Sequence, residues 1–311
     1  MIIPLTLAYA VILINGWTDA PNSIATAVAS RAISYKKATL LCAFFNFIGV
    51  IFAGIFSSSV AKFVFSLGDY DSYVSLGISV VFLTMLLFGV ISWLFGLPSS
   101  ESHAMITAMS GTSLAVSKVP SGLKSVGYVF VFMIFSCILA FVLSLVIKRL
   151  FVWSLPYKKL QLLSCSLTSF MHGWQSGLKF VGIIAFLLNI NILTGKIPPF
   201  IIISISVALS LGALLGGKRI IESMGDNLVK LSHSSAFFSD ISTYLTLLIC
   251  SLLGMPVSTG NIKCLAIMGV GNKGSINKKT ATKLIISFIA VFPICFIISY
   301  ALMKMLMLFC H

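Results

Sequence analysis

A polar, helix-breaking octapeptide, Asn15-Gly16-Trp17-Thr18-Asp19-Ala20-Pro21-Asn22, interrupts an apolar segment that begins at Met1 and resumes through Ile33. A carboxylate and two asparagine amides are costly in hydrocarbon, and an ionisable residue at membrane depth marks a functional site by default. Pro21 supplies no backbone donor and disfavours helical geometry at the residue before it. Gly16 widens the backbone's choice of angles. Two readings follow. Either a membrane helix is broken midway, with free N–H and C=O groups facing a buried polar site, or an N-terminal anchor ends near Asn15 and an ordinary loop follows. Broken helices are tolerated at that depth only where protein or a cavity surrounds them.

Composition favours the first reading. The chain has 311 residues, 59% hydrophobic and 9% charged, with mean hydropathy +1.09. That excludes a soluble domain and predicts a polytopic membrane protein. Apolar runs long enough to span, or nearly so, fall near 2–14, 38–57, 74–97, 125–147, 177–193, 198–217, 236–253 and 284–309. With about 20 apolar residues needed per crossing, eight to ten membrane elements are expected. The stretch 57–73, with Lys62, Asp69 and Asp71, reads as an interfacial helix and loop. The net charge of +14 is no nucleic-acid signal, because the basic residues cluster between spans, as at Lys36-Lys37, Lys148-Arg149 and Lys278-Lys279. Such clusters usually hold loops on the cytoplasmic side, but placing all of them there conflicts with some span counts, so the sequence leaves the orientation open. The seven cysteines are scattered without a C-x-x-C pair, which argues against zinc and disulfide frameworks. No basic n-region with a small-residue cleavage site stands out, so no cleaved signal peptide is expected.

The pattern then repeats. His172-Gly173-Trp174-Gln175-Ser176 echoes Asn15-Gly16-Trp17-Thr18-Asp19, and the two glycines lie 157 residues apart. Gly254-Met255-Pro256-Val257-Ser258-Thr259 echoes Gly96-Leu97-Pro98-Ser99-Ser100-Glu101, and Pro98 and Pro256 lie 158 apart. Two matches at nearly one offset indicate a duplication. The first half, 1–150, and the second, 151–311, are each expected to contain a broken helix, spans and a re-entrant hairpin. The small-residue run after His103 is too polar for a lipid-facing span and fits such a hairpin. The fold class predicted is an all-α polytopic membrane protein of two homologous repeats, with inversion as the expected relation. Matched interruptions in two halves point to a secondary transporter whose substrate sits near the midplane, at the ends of discontinuous helices. Helix N-termini suit an oxyanion there.

The motifs resemble those of the inorganic phosphate transporter (Pit/PHO4) family. The first family motif is matched by Gly16 to Thr26, its second copy by His172 to Gly182, and the hairpin motif by Pro98-Ser99-Ser100-Glu101-Ser102-His103 and Pro256-Val257-Ser258-Thr259-Gly260-Asn261. Gly216-Gly217-Lys218-Arg219 with Met224-Gly225 matches a further family segment. The resemblance implies symport of inorganic phosphate with Na+ or H+ by alternating access, in a homodimer within the lipid of a cell membrane. It implies no other cofactor and no nucleic-acid partner. By position it places Asn22, Ser100, Ser102, Gln175, Ser258 and Thr259 with substrate and Asp19 with the coupling cation, while Glu101, which the family pattern lacks, is a further candidate for Na+ or H+ coupling. The sequence departs from the pattern where Ser176 replaces an aspartate, where Gly260 and Asn261 replace a threonine and a histidine, and where Glu101 adds a carboxylate.

Other residues carry two readings each. Lys179 either attracts phosphate or snorkels. His103 and His172 are proton relays or hydrogen-bonded packing residues, with packing favoured. Asp240 either neutralises a buried base or lies at an interface. Trp17 and Trp174 are expected to pack the breaks. A sulfate permease and an anion channel remain as alternatives. An enzyme is not expected, because no paired aspartates or H-E-x-x-H site occurs and the nearest approach to a nucleophile with a base is Ser100 with His103 three residues on.

Overall fold

A computed structural model describes residues 2–55, 74–116, 121–150, 155–188, 190, 197–272 and 274–309. The interfacial element expected at 57–73 lies outside them. The first half contains α1 (Ile2–Thr18), a 3-10 turn (Ala20–Ser23), α2 (Ala25–Ala29), α3 (Tyr35–Ile55), α4 (Val74–Leu94), α5 (Glu101–Val116) and α6 (Ser121–Leu150). The second contains α7 (Tyr157–Leu187), α8 (Pro199–Leu215), α9 (Lys218–Ile221) with a π turn (Glu222–Asp226), α10 (His233–Leu252), α11 (Thr259–Val270) and α12 (Lys278–Phe309). Six of the described helices are long and apolar enough to cross a membrane, and a seventh crossing results if the bent pair α8–α9 counts as one span. The protein is a multi-pass membrane protein, with exposed apolar side chains on α4, α6 and α12, such as Leu87, Ile138 and Ile297.

The first break forms where the sequence places it. The α1 ladder ends with the Asp19 N–H on the Asn15 carbonyl at 2.8 Å, and Pro21 enters the first turn of the 3-10 segment. The second break does not form. α7 runs through His172–Ser176 without interruption for 31 residues. The physical reason is in the register: the residue 157 positions after Pro21 is Leu178, which keeps its N–H and so keeps the helix. The segments expected as hairpins are short helices that follow extended segments. α5 is almost wholly buried, and Ser100, just before it, has φ 43°. α11 follows the parallel turn at Gly254, whose φ is 69°.

The two copies pack by exchange. α1 lies on α8 where Gly16 meets Gly212, and α7 lies on α3 where Gly173 meets Asn46 and Gly49 meets Trp174. Likewise Gly111 of α5 sits against Phe296 and Ser299 of α12, while Gly269 of α11 sits against Phe141 and Ser144 of α6. Each contact therefore pairs an element of one copy with the other copy's partner, and its counterpart reverses the roles. A Cβ at Gly111 would come within 2.5 Å of the Phe296 carbonyl, and one at Gly173 within 2.7 Å of the Asn46 Cα. In lipid, where apolar burial gives helices little reason to associate, such close backbone approach supplies the packing. The main core runs through both copies, from Ala8 and Phe82 to Phe180 and Phe292.

Candidate functional site

Exchange packing brings the first-copy break against the middle of α7. There the equivalent residues make reciprocal contacts. Asp19 Oδ2 lies 4.0 Å from His172 Nε2, and their counterparts Ser176 and Asn15 are joined by a hydrogen bond of 3.0 Å from Ser176 Oγ to Asn15 Oδ1. Lys179 Nζ donates to Ser102 Oγ at 2.8 Å. Its counterpart Asn22 lies beside Gly260, the counterpart of Ser102; a Cβ on Gly260 would be 2.9 Å from Asn22 Nδ2 and 2.8 Å from Pro98 Cβ. At the hairpin tips Ser100 bonds His103 Nδ1, and Ser258 Oγ donates to Asn261 Oδ1 at 3.3 Å. Ser102 Oγ also donates to the Val257 carbonyl at 3.0 Å, which ties the start of α5 to the segment leading into α11. Two helix N-termini thus meet at the break, each with first-turn N–H groups that lack intrahelical partners.

The geometry is nearly two-fold, but the charge is not. Both carboxylates, Asp19 and Glu101, belong to the first copy; Ser176 and Thr259 stand at the equivalent places in the second. The ammonium, Lys179, belongs to the second copy, and Asn22 is its neutral counterpart. Lys179 acts electrostatically on both carboxylates. All of these side chains are buried, with Lys179 4% exposed and Asp19 3%.

The cluster is only partly satisfied internally. Asn22 Nδ2 donates to Asp19 Oδ1 at 2.9 Å, and Thr18 Oγ1 donates to Glu101 Oε1 at 3.3 Å and contacts Ser99 Oγ at 3.0 Å. Asn22 Oδ1, Glu101 Oε2, His103 Nε2, His172 Nε2 and Asn261 Nδ2 have no hydrogen-bond partner among the described residues. Buried polar groups are ordinarily paired, so such a concentration needs an explanation, and an absent ligand is one. Donors and acceptors are both represented, as a site for an anion with a cation requires.

Of the residues the sequence singles out, Asp19, Asn22, Glu101, Ser100, Ser102, Ser258 and Thr259 lie at or beside this junction. Gln175 turns away: its Nε2 donates to Ser251 Oγ of α10 at 2.7 Å. Lys179 does not snorkel, since it is enclosed and bonded to Ser102. His172 is held by Asn46 Oδ1 on Nδ1 at 2.6 Å, which leaves Nε2 toward Asp19. The tryptophans pack: Trp17 lies 4.4 Å from Trp93 between ring centroids, and Trp174 meets Phe52 edge-on at 4.9 Å. Asn15 and Asn261 also lie at the junction, bonded to Ser176 and Ser258, although neither stands out as a candidate in the sequence. The signal was the repeat itself, because Asn15 is the counterpart of His172 and Asn261 that of His103.

A third buried acid lies apart. Asp240 pairs with Lys263, and its carboxylate also accepts from Thr26 Oγ1 at 2.5 Å and Ser164 Oγ at 2.9 Å. This resolves the two readings of Asp240: it neutralises a buried base.

Comparison with known proteins gives a consistent result. A profile described as the phosphate transporter family matches residues 15–159 and 152–299. A protein of Rhizobium meliloti named "Probable low-affinity inorganic phosphate transporter" is 32% identical over 304 residues, covering 92% of this chain and 90% of its own. A Bacillus subtilis protein of the same name is 30% identical over 305 residues, covering 90% and 89%. A solved structure titled "The sodium-dependent phosphate transporter" shares the fold, with TM-score 0.86 at 21% identity, over 99% of this chain and 98% of that one.

Proposed function

The chain belongs to the phosphate transporter family, and from that premise we propose that it is a secondary transporter, not an enzyme, which moves inorganic phosphate together with Na+ or H+ by alternating access. The observation that carries the reading is the skewed charge of a nearly two-fold site. Two carboxylates lie on one side and one ammonium on the other, among buried polar atoms that lack partners. In a medium of low dielectric, unscreened carboxylates beside a phosphate dianion repel it strongly. A cation at Asp19 and Glu101 removes that repulsion. Phosphate then gains the Lys179 ammonium, the amide of Asn22, the hydroxyls of Ser100, Ser102, Ser258 and Thr259, and the N-termini of α5 and α11. Each ligand therefore binds better when the other is present, which is the reciprocity that coupling demands. Gln175, held by α10, positions α7 and does not touch substrate.

The same proposal includes the division of the chain into halves at 150/151, their inverted relation, and a homodimeric assembly. Exchange packing supports the first two, because it lets the paired elements of one half rock against those of the other around a fixed centre.

The test is radiolabelled phosphate uptake into proteoliposomes, with Na+ and pH gradients imposed separately, for wild type and Asp19→Asn. Uptake driven by Na+ and lost in the variant supports a sodium site at Asp19. Uptake driven only by the pH gradient moves the coupling to a proton carried by the carboxylate pair. Sulfate uptake without phosphate uptake overturns the substrate. Flux that saturates with neither gradient makes the protein a channel.

A further inference from the structure

α12 begins with an electrostatic liability. Lys278 and Lys279 occupy its first turn and Lys283 follows one turn later. A helix N-terminus carries partial positive charge and favours anions, so lysines there are unfavourable. Among the described residues none of the three forms an ion pair with a carboxylate. Lys283 donates to the carbonyl of Phe95, at 2.9 Å, and so bridges α12 to the end of α4.

Two concavities meet at this bridge. One is an apolar groove between α4 and α12, flanked by Ile91 and Phe95 on one wall and Ile286 and Ile294 on the other. These four side chains are 41–63% exposed on the outer face of the protein. The three lysines close the groove at one end. The other concavity is a small polar pocket lined by Ser223, Asn227, Asn277 and Thr280. Leu97 and Lys283 line both. From Lys283 to Ile294 the helix rises about 16 Å, at roughly 1.5 Å per residue. That is about half of the roughly 30 Å hydrocarbon core, the depth of one leaflet.

We propose that this paired groove and pocket is a binding site for an anionic phospholipid, with an acyl chain along α4 and α12 and the phosphate-bearing headgroup at Lys278, Lys279 and Lys283. The chemistry is complementary at both ends. The groove presents hydrocarbon at leaflet depth, and the pocket presents hydroxyl and amide groups beside uncompensated positive charge. Basic pockets between membrane helices recognise anionic headgroups in this way. The lipid also offsets the unfavourable meeting of three lysines with the α12 N-terminus. The site is separate from the Asp19–Lys179 junction and does not depend on what is transported there.

The experiment is native mass spectrometry of the purified full-length protein from nanodiscs of phosphatidylcholine with a fixed minor fraction of phosphatidylglycerol. Wild type is compared with Lys278→Gln/Lys279→Gln/Lys283→Gln, with Ala290→Phe, which fills the groove from α12, and with Lys36→Gln/Lys37→Gln at the start of α3 as a control. Wild type is expected to retain phosphatidylglycerol over phosphatidylcholine by about tenfold or more, since each lysine near a headgroup contributes on the order of a fivefold preference. The triple variant loses that preference, Ala290→Phe lowers the number of retained lipids, and the control behaves as wild type. Thermal unfolding of each variant reports folding independently. Equal phosphatidylglycerol retention by wild type and the triple variant overturns the proposal. So does equal loss in the control, which reduces the effect to surface charge. A triple variant that dissociates from dimer to monomer with unchanged lipid makes the groove a contact with a second copy instead.

Discussion

The two copies give the central site equivalent backbones and different charges. At the first-copy positions stand Asp19, Asn22, Glu101 and Ser102; at their counterparts stand Ser176, Lys179, Thr259 and Gly260. The contacts are reciprocal, as between Asp19 and His172 and between Ser176 and Asn15. Only the residue types differ. Duplication therefore supplies a junction where two helix N-termini meet, and substitution leaves both carboxylates in the first copy and the ammonium in the second. The helix break obeys the same rule, since it depends on Pro21 in one copy and is absent where the other copy has Leu178.

The largest expected effect separates this functional asymmetry from a structural ion pair. Asp240 and Lys263 are fully buried and share a charge-assisted contact, and the carboxylate is further held by Thr26 and Ser164. Lys263→Met leaves that carboxylate buried without its cation, which should cost about 3–5 kcal/mol. Thermal unfolding in detergent should show it. Any variant protein that folds should keep the wild-type KM for phosphate. An altered KM with an unchanged Tm would make this pair part of the transport site.

Removing the second-copy charge comes next. Lys179→Met deletes the ammonium that faces Asp19 and Glu101 and donates to Ser102. A hydrogen bond to a charged group contributes about 1.5–3 kcal/mol, so phosphate KM should rise roughly 10- to 100-fold. Lys179→Arg should recover part of this, with charge kept and geometry changed. Unchanged phosphate KM in Lys179→Met uptake assays would remove Lys179 from the substrate side.

Glu101→Gln probes the first-copy side more gently. The variant keeps a carbonyl to accept from Thr18 and loses only the charge, while Asp19 remains. Uptake should fall by up to about tenfold, a change of roughly 1.4 kcal/mol. The cation dependence should weaken more than the phosphate dependence. If phosphate KM moves while cation dependence stays fixed, Glu101 lies on the anion side.

Much of this asymmetry is legible in the sequence, and what is not has physical causes. Asp19 and Pro21 stand out because a charge and a lost N–H are costly inside an apolar run. The hairpins stand out because small polar residues follow a proline. The second break is over-read, since matching a motif by Gly-Trp ignores the leucine that keeps the helix whole. Lys179 is ambiguous because a lysine in an apolar helix can either snorkel or be buried with partners, and only the neighbouring Ser102, contributed from 77 residues away, decides. Lys263 gives no local signal at all; its partner Asp240 lies on another helix.

Gln175 gives the smallest effect and the finest test. It directly precedes Ser176 and is the counterpart of Thr18, whose hydroxyl contacts Ser99 and Glu101 within the site. Sequence position alone would give both residues the same role. Their side chains differ in reach and direction: the short Thr18 hydroxyl stays at the junction, whereas the Gln175 amide extends to Ser251 on α10. Gln175→Ala should therefore cost about 1 kcal/mol of stability through one lost hydrogen bond, with phosphate KM within about twofold of wild type. Thr18→Ala removes a donor to Glu101 and should change the cation dependence of uptake instead. If Gln175→Ala raises phosphate KM as Lys179→Met does, α7 turns about its axis during transport and brings that amide to the substrate, and the resting contact with α10 is one of two positions.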